Sequence, residues 1–374
     1  MFVQQSQIKA GFESCHPGEL LGTHSGMLYH IGSAGSNWRH NCPAYINTQC
    51  WSLVQNTLDA VDGCHTSFQE YVPSPLETLW RDKLSTQFEM AALVSNATAA
   101  APYCEIIKKQ KSEIESILRM APKLSTSVEF DPALFSRFLH VKSCNSHTRN
   151  ITSFIEPLFG FLRDPRAACE KLFGEYDDSI QPWYSRDLCW AATSSCWTAS
   201  PRPAAVFFVD RGASTYTEGP GGSSQQFFLE AYEKSCIFFD KYTMWEVAVQ
   251  EPVKLLQLVP ERFFHAYQYF NTPAIADPAN DKNPVNMVRR RASVDDFVGF
   301  KLDIDNEDLE RKFVAQLFGA PAAGGGGAAG GGGGGGIGHL IKEFYWEQHE
   351  GSLRFQYDEL FRMRQMGVRA HTWP

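Results

Sequence analysis

The stretch Ala205–Tyr216 constrains this chain more than any other. Ala205-Val206-Phe207-Phe208-Val209 is a continuous apolar run, the pattern of a strand buried on both faces of a helix-covered parallel sheet. It runs into Asp210-Arg211-Gly212-Ala213-Ser214-Thr215-Tyr216, an acid and a glycine where a parallel strand passes into a loop. Ser223–Lys234 then reads as a helix, with Ser223 suited to its N-cap. Strand, acidic-glycine loop and helix make the opening unit of a doubly wound α/β sheet, whose ligands sit beyond the carboxyl ends of the strands.

Further segments repeat the pattern. Phe238–Met244 is a second strand closed by Trp245-Glu246-Val247, and Arg262–Phe270 is an aromatic-rich third. Asp296–Asp305 and Leu340–His349 are two more apolar runs, ending in carboxylates and in Glu-Gln-His. Asp305–Phe318 is a helix with Gly319 as its stop, and Tyr357–Gln365 is a last helix before the strand Val368–Trp373. Polar groups at the strand ends would line one rim of the sheet. Acids there also cap the following helix, and for Asp305 both uses stand open.

The ordered set Val-Asp-Arg-Gly-Ala-Ser (209–214), Trp-Glu-Val (245–247), Lys-Leu-Asp-Ile-Asp (301–305) and Glu-Gln-His (347–349) resembles the S-adenosyl-L-methionine-dependent methyltransferases. The similarity is to the FkbM-like sugar O-methyltransferase branch and covers Ser200 to Pro374. Arg211 stands where that family has an apolar residue, and Asn306 where it has a glycine. The resemblance implies a Rossmann-like methyltransferase-type sheet and methyl transfer from S-adenosyl-L-methionine to a sugar or glycan hydroxyl. Asp210, Gly212 and Ser214 would shape the cofactor loop, and Glu246 would accept hydrogen bonds from the ribose hydroxyls. Such a transfer needs in-line positioning and a base for the hydroxyl proton. Asp303, Asp305 and His349 are the candidates, with Lys301 holding a carboxylate or an oxyanion. This reading assigns no metal. Methyltransferase sheets often end in a reversed pair of strands, of which the sequence shows one.

Two other readings stay open. One is a binding or scaffold protein that keeps the fold without catalysis, which Arg211 and Asn306 favour. The other is a lumenal glycosyltransferase-like protein, with Asp303-x-Asp305 coordinating a metal and a nucleotide-sugar diphosphate.

At 374 residues the chain is long enough for two domains. The expected division is 1–200, a Cys-rich and mainly helical N-terminal region, and 201–374, the Rossmann-like domain. N-terminal helices are expected at Leu76–Val94, Glu105–Met120, Pro132–Val141 and Ser153–Leu162, where apolar residues recur at helical spacing. A net charge of -8 argues against nucleic acid as the partner. No window approaches the ~20 apolar residues of a membrane span. A small-molecule or glycan substrate fits better, and the oligomeric state is left open.

All ten cysteines lie between Cys15 and Cys236, a distribution that suits disulfides in an oxidising compartment. Asn96-Ala97-Thr98 and Asn150-Ile151-Thr152 are glycosylation acceptors that would matter only there. The first residues lack the basic start and apolar core of a secretory signal. Secretory lumen and cytoplasm both stand open. Ala320–Gly336 is almost pure glycine and alanine, which buries little, and is expected to be a disordered insertion without chemistry.

Overall fold

A computed structural model describes residues 64–84, 105, 132–133, 135–144, 147–158, 205–217, 224–234, 238–319, 336–347 and 353–373. Residues 320–335 of the Gly/Ala tract, the side chains of the cysteines and the end of the Glu-Gln-His motif, His349 included, lie outside them.

The N-terminal part contains strands β1 (Cys64–Val72), β2 (Ser136–Cys144) and β3 (His147–Ile155), an antiparallel sheet in that order. A short helix α1 (Pro75–Leu79) follows β1, with the Ser74 hydroxyl accepting from the Glu77 amide as its cap, and runs into a π turn at Trp80–Leu84. The expectation of a mainly helical region is therefore corrected among the described residues. Pro132–Val141 supplies strand β2, and the first residues of Ser153–Leu162 belong to β3. Helical spacing in so short a window does not separate helix from strand. Here Phe138 packs edge-on against Phe68 and tilted on Tyr71 of the neighbouring strand, and such cross-strand aromatic pairs favour the sheet. Apart from Glu105, the candidate Glu105–Met120 lies outside the described residues.

The C-terminal part is a six-stranded, wholly parallel sheet. In chain order its elements are β4 (Val206–Arg211), α2 (Ser224–Lys234), β5 (Lys241–Trp245), α3 (Pro252–Leu258), β6 (Tyr267–Phe270) and α4 (Pro284–Arg291). They continue with β7 (Phe297–Leu302), α5 (Glu307–Phe318), β8 (Glu343–Glu347), α6 (Leu353–Gln365) and β9 (Arg369–Trp373). The strand order is β6-β5-β4-β7-β8-β9, the 3-2-1-4-5-6 order of a Rossmann-type sheet. The order reverses between β4 and β7, so the crevice for a ligand falls at their carboxyl ends. The last strand pairs parallel with β8, and no reversed pair closes the described sheet.

Each face has its own core. On one side Phe208 stacks on Tyr242 and packs against Phe228 and Tyr232 of α2, at centroid distances of 5.1, 4.5 and 5.8 Å. On the other, Phe300, Leu302, Phe344 and Trp346 meet Phe313 and Leu317 of α5 and Leu360 and Met363 of α6. Both faces are covered, which is why the strands read as unbroken apolar runs. The basic run Arg289-Arg290-Arg291 is the exposed last turn of α4, where cations complement the helix dipole.

A buried polar network joins the two sheets. Arg364 of α6 donates through Nη1 to the Tyr71 hydroxyl (2.9 Å), Glu77 Oε2 (3.2 Å) and the Glu156 carbonyl (2.8 Å). Its Nη2 reaches Glu156 Oε1 at 3.0 Å and its Nε the Ala370 carbonyl at 2.8 Å. His371 of β9 places Nδ1 2.7 Å from Glu156 Oε1 and Nε2 3.7 Å from Glu343 Oε1. Arg369 bonds the Phe154 carbonyl at 2.9 Å and lies 3.4 Å from Glu343. Three carboxylates (Glu77, Glu156, Glu343) thus meet two guanidiniums and an imidazole.

Candidate functional site

The rim is built on Gly212. Its φ of +78° lies in the left-handed region, and a Cβ there would stand 1.4 Å from the Asp303 carbonyl oxygen. Only glycine lets the β4 loop pass so close to the end of β7. The Asp303 amide donates to the Arg211 carbonyl (3.1 Å) and the Gly212 amide to the Trp245 carbonyl (3.3 Å), tying the loop to both neighbouring strands.

Asp210 is fully buried. Its Oδ2 accepts from Tyr242 (2.8 Å) and Ser224 (3.1 Å), and Oδ1 lies 3.2 Å from Lys301 Nζ. Lys301, also fully buried, donates to the Gly212 carbonyl at 3.1 Å and pairs with Asp303 at 2.6 Å. Burial works against its ammonium, but Asp210 and Asp303 outweigh this and hold its pKa above the usual lysine value. Burial and the adjacent Asp210 carboxylate push the Tyr242 hydroxyl far above its ordinary range, so it stays a proton donor. Trp373 completes the group, its Nε1 donating to Asp303 Oδ2 at 3.0 Å. Asp210, Lys301 and Asp303 therefore form a chain of alternating charge beneath the loop.

Glu246 follows the last residue of β5 and is half-buried. Its two oxygens accept from the Ser214 amide (2.9 Å) and the Ala248 amide (2.7 Å). Ser214 also has positive φ, +50°, and its carbonyl accepts from Tyr269 (3.0 Å) and Gln225 (3.1 Å). Tyr267 in turn bonds the Gln225 side chain at 2.6 Å. The tips of β4, β5 and β6 are thus locked together around one half-buried carboxylate.

On the other side of β4, Asp303, Asp305 and Glu347 offer oxygens within 4.8 Å of one another. Burial and the neighbouring Asp303 push the Glu347 carboxyl up to about 9. A proton held by Glu347 relieves the repulsion in this cluster. Asp305 is exposed, with φ of +52°. It does not cap α5; Asn306 does, its side chain accepting from the Leu309 amide at 3.0 Å. That role gives a physical reason for the asparagine at a position where the resemblance has glycine. Buried Glu310 fastens the same turn, accepting from the Ile304 amide (2.9 Å) and Trp346 Nε1 (2.8 Å).

The structure gathers Asp210, Gly212, Lys301 and Asp303 into one contact group. Ser214 and Glu246 form a second on the β5 side, and Asp305 stands exposed on the β7 side. Tyr242, Ser224, Gln225 and Trp373 are the partners that sequence reasoning missed. Tyr242 and Trp373 lie inside strands whose apolar patterning conceals a polar task, and only the register Asp210↔Met244 brings Tyr242 within reach. Comparison with protein-family models, with characterised proteins and with solved structures returns no match.

Proposed function

We propose that this rim binds S-adenosyl-L-methionine and that the chain is an O-methyltransferase acting on a sugar or glycan hydroxyl. The observation that carries the reading is the Gly212–Ser214 loop, which follows the strand where the order reverses, held against Glu246 at the tip of neighbouring β5. A carboxylate fixed by two amides keeps lone pairs for the two ribose hydroxyls, a bidentate and charge-assisted contact. The motif resemblance of the C-terminal half supplies the cofactor class. In the transfer, the acceptor oxygen forms a bond to the methyl carbon as the carbon–sulfur bond breaks. The sulfonium leaves as a neutral thioether, and the hydroxyl proton passes to a base. Asp303 is occupied by Lys301 and Trp373, so exposed Asp305 is the carboxylate better placed to take that proton.

Calorimetric titration with S-adenosylhomocysteine tests this. Wild type should bind, and Glu246→Ala should bind at least about tenfold more weakly, since a hydrogen bond to a charged group contributes about 1.5–3 kcal/mol. Absence of binding to wild type would sink the cofactor assignment. Binding of UDP with manganese instead would favour the glycosyltransferase-like reading of Asp303-x-Asp305. Binding of S-adenosylhomocysteine without methyl transfer to any glycan acceptor would leave a scaffold that keeps the cofactor site.

A further inference from the structure

The Arg211 side chain has no part in the site above, yet the residue ends the central strand at the same rim. It pairs in register with Trp245 on one side and Leu302 on the other. Its side chain points to the face opposite Asp210, among the residues packed against α5. It is fully buried, and among the described residues Nε, Nη1 and Nη2 find no hydrogen-bond partner. Burial draws the guanidinium down to about 9, with Asp210 pulling the other way, and at neutral pH it remains a cation.

Such a group is costly. Removing an ion of this size from water costs several kcal/mol even after relaxation, and buried guanidiniums are ordinarily matched by a carboxylate or phosphate. Asp210 cannot serve, because its oxygens are engaged on the far face by Lys301, Tyr242 and Ser224. What Arg211 does touch is aromatic: Cζ lies 4.9 Å from the Trp245 ring and 5.1 Å from that of Phe313. Cation–π contacts offset only about 1–2 kcal/mol each, and they orient the guanidinium plane while leaving its five N–H donors unused.

The surroundings point outward from there. Trp245 stacks on Phe270 at 5.1 Å, and Phe270 is 44% exposed. Two rings therefore separate the guanidinium from solvent on that side. The loop that follows Trp245 holds Val247 and Val249 68% and 92% exposed. Apolar side chains thus stand in water on the loop that follows one of the rings packed against this cation.

We infer that Arg211 is the receptor for an oxyanion, a carboxylate or phosphate, carried by the ligand that occupies this rim. The inference stands on the unmatched cation and needs no particular cofactor. Two sources of the oxyanion are distinguishable, the amino-acid carboxylate of the cofactor proposed above and an anionic substituent of the acceptor.

The test uses the full chain with Arg211→Met and, should that variant fail to fold, Arg211→Gln. Thermal unfolding is followed with sodium phosphate or sulfate against sodium chloride at equal ionic strength. Wild type should show a saturable rise in midpoint, above the linear stabilisation that these salts give any protein. The variants should keep only the linear part, and Arg211→Met should melt above wild type in chloride because its unmatched charge is gone. S-adenosylhomocysteine and 5′-methylthioadenosine, which lacks the carboxylate, are then titrated into both proteins. A tenfold or greater loss in Arg211→Met for the first ligand alone assigns the oxyanion to the cofactor. Unchanged affinities for both, with the phosphate response lost, assign it to the acceptor. If neither nucleoside binds wild type but the phosphate response depends on Arg211, the cofactor proposal fails and the receptor stands. A saturable response equal in wild type and variants, or none in wild type, overturns the inference. So does an Arg211→Met protein that melts below wild type in chloride with its anion response intact, which would make the side chain a packing element.

Discussion

Gly212→Ala is expected to cost the sheet more than about 4 kcal/mol, a loss reached by few single substitutions. Backbone conformation and steric overlap both act at this position. The left-handed φ of +78° alone costs a residue with a Cβ roughly 1–2 kcal/mol. Overlap costs more, since the added methyl would lie 1.4 Å from the Asp303 carbonyl oxygen and 2.6 Å from its carbon. That carbonyl cannot withdraw freely. The Asp303 amide is bonded to Arg211, and the Asp303 side chain is held by Lys301 and Trp373. Gly319 provides the control. Its φ is +81°, but none of the described residues lies within 4 Å of its absent Cβ, so Gly319→Ala should show the backbone cost alone. Urea midpoints of the two variants, compared through a common m-value, measure the difference. Equal losses would show that the rim is not closed around Gly212 as described.

Arg364→Met should destabilise the protein by about 3–5 kcal/mol, the usual result of removing one partner from a buried ion network. The guanidinium joins Glu77 and Glu156 of the N-terminal part to the C-terminal sheet, and its loss leaves both carboxylates short of a cation. The same network makes stability depend on pH. Burial opposes the His371 imidazolium, but Glu156 and Glu343 prevail and raise its pKa above 6.5. Its contribution is therefore complete below about 6.5, the unfolded value, and is lost as pH rises through the higher folded value. For Glu156 and Glu343, burial raises the pKa, yet His371 and the arginines lower it overall. Their contribution is present above about 4.3, the unfolded value, and is lost as pH falls through the lower folded values. Urea midpoints should thus be highest in the mildly acidic range and decline toward alkaline pH. His371→Gln should remove the alkaline decline and leave the acid limb. A wild-type midpoint that stays level as pH rises above 6.5 would mean that His371 is neutral in the folded protein.

The sheet was largely legible in the chain. Parallel strands buried on both faces must be apolar throughout, so Val206–Val209 and Phe297–Phe300 announce themselves without any partner in view. Gly367 and Gly319 mark the ends of their helices for the same local reason, the low cost of a positive φ at glycine. The carboxylates at the strand ends were visible too, because an acid closing an apolar run stands out in one dimension. Their division of labour was not. Asp210 is enclosed and matched by Lys301, whereas Glu246 is held half-open by two amides, and the difference depends on which strand lies beside which. Asn306 in place of glycine looked like damage to a motif until α5 was seen to start on it. The N-terminal strands misled because a short apolar pattern suits helix and strand alike, and the choice falls to partners more than sixty residues away, as Tyr71 with Phe138. Arg211 shows the limit most sharply. One letter in a motif became a buried cation only when Trp245 and Phe313, from two other elements, closed over it. Local chemistry can be read along a chain, but burial and charge matching belong to pairs of residues that meet only in the folded state.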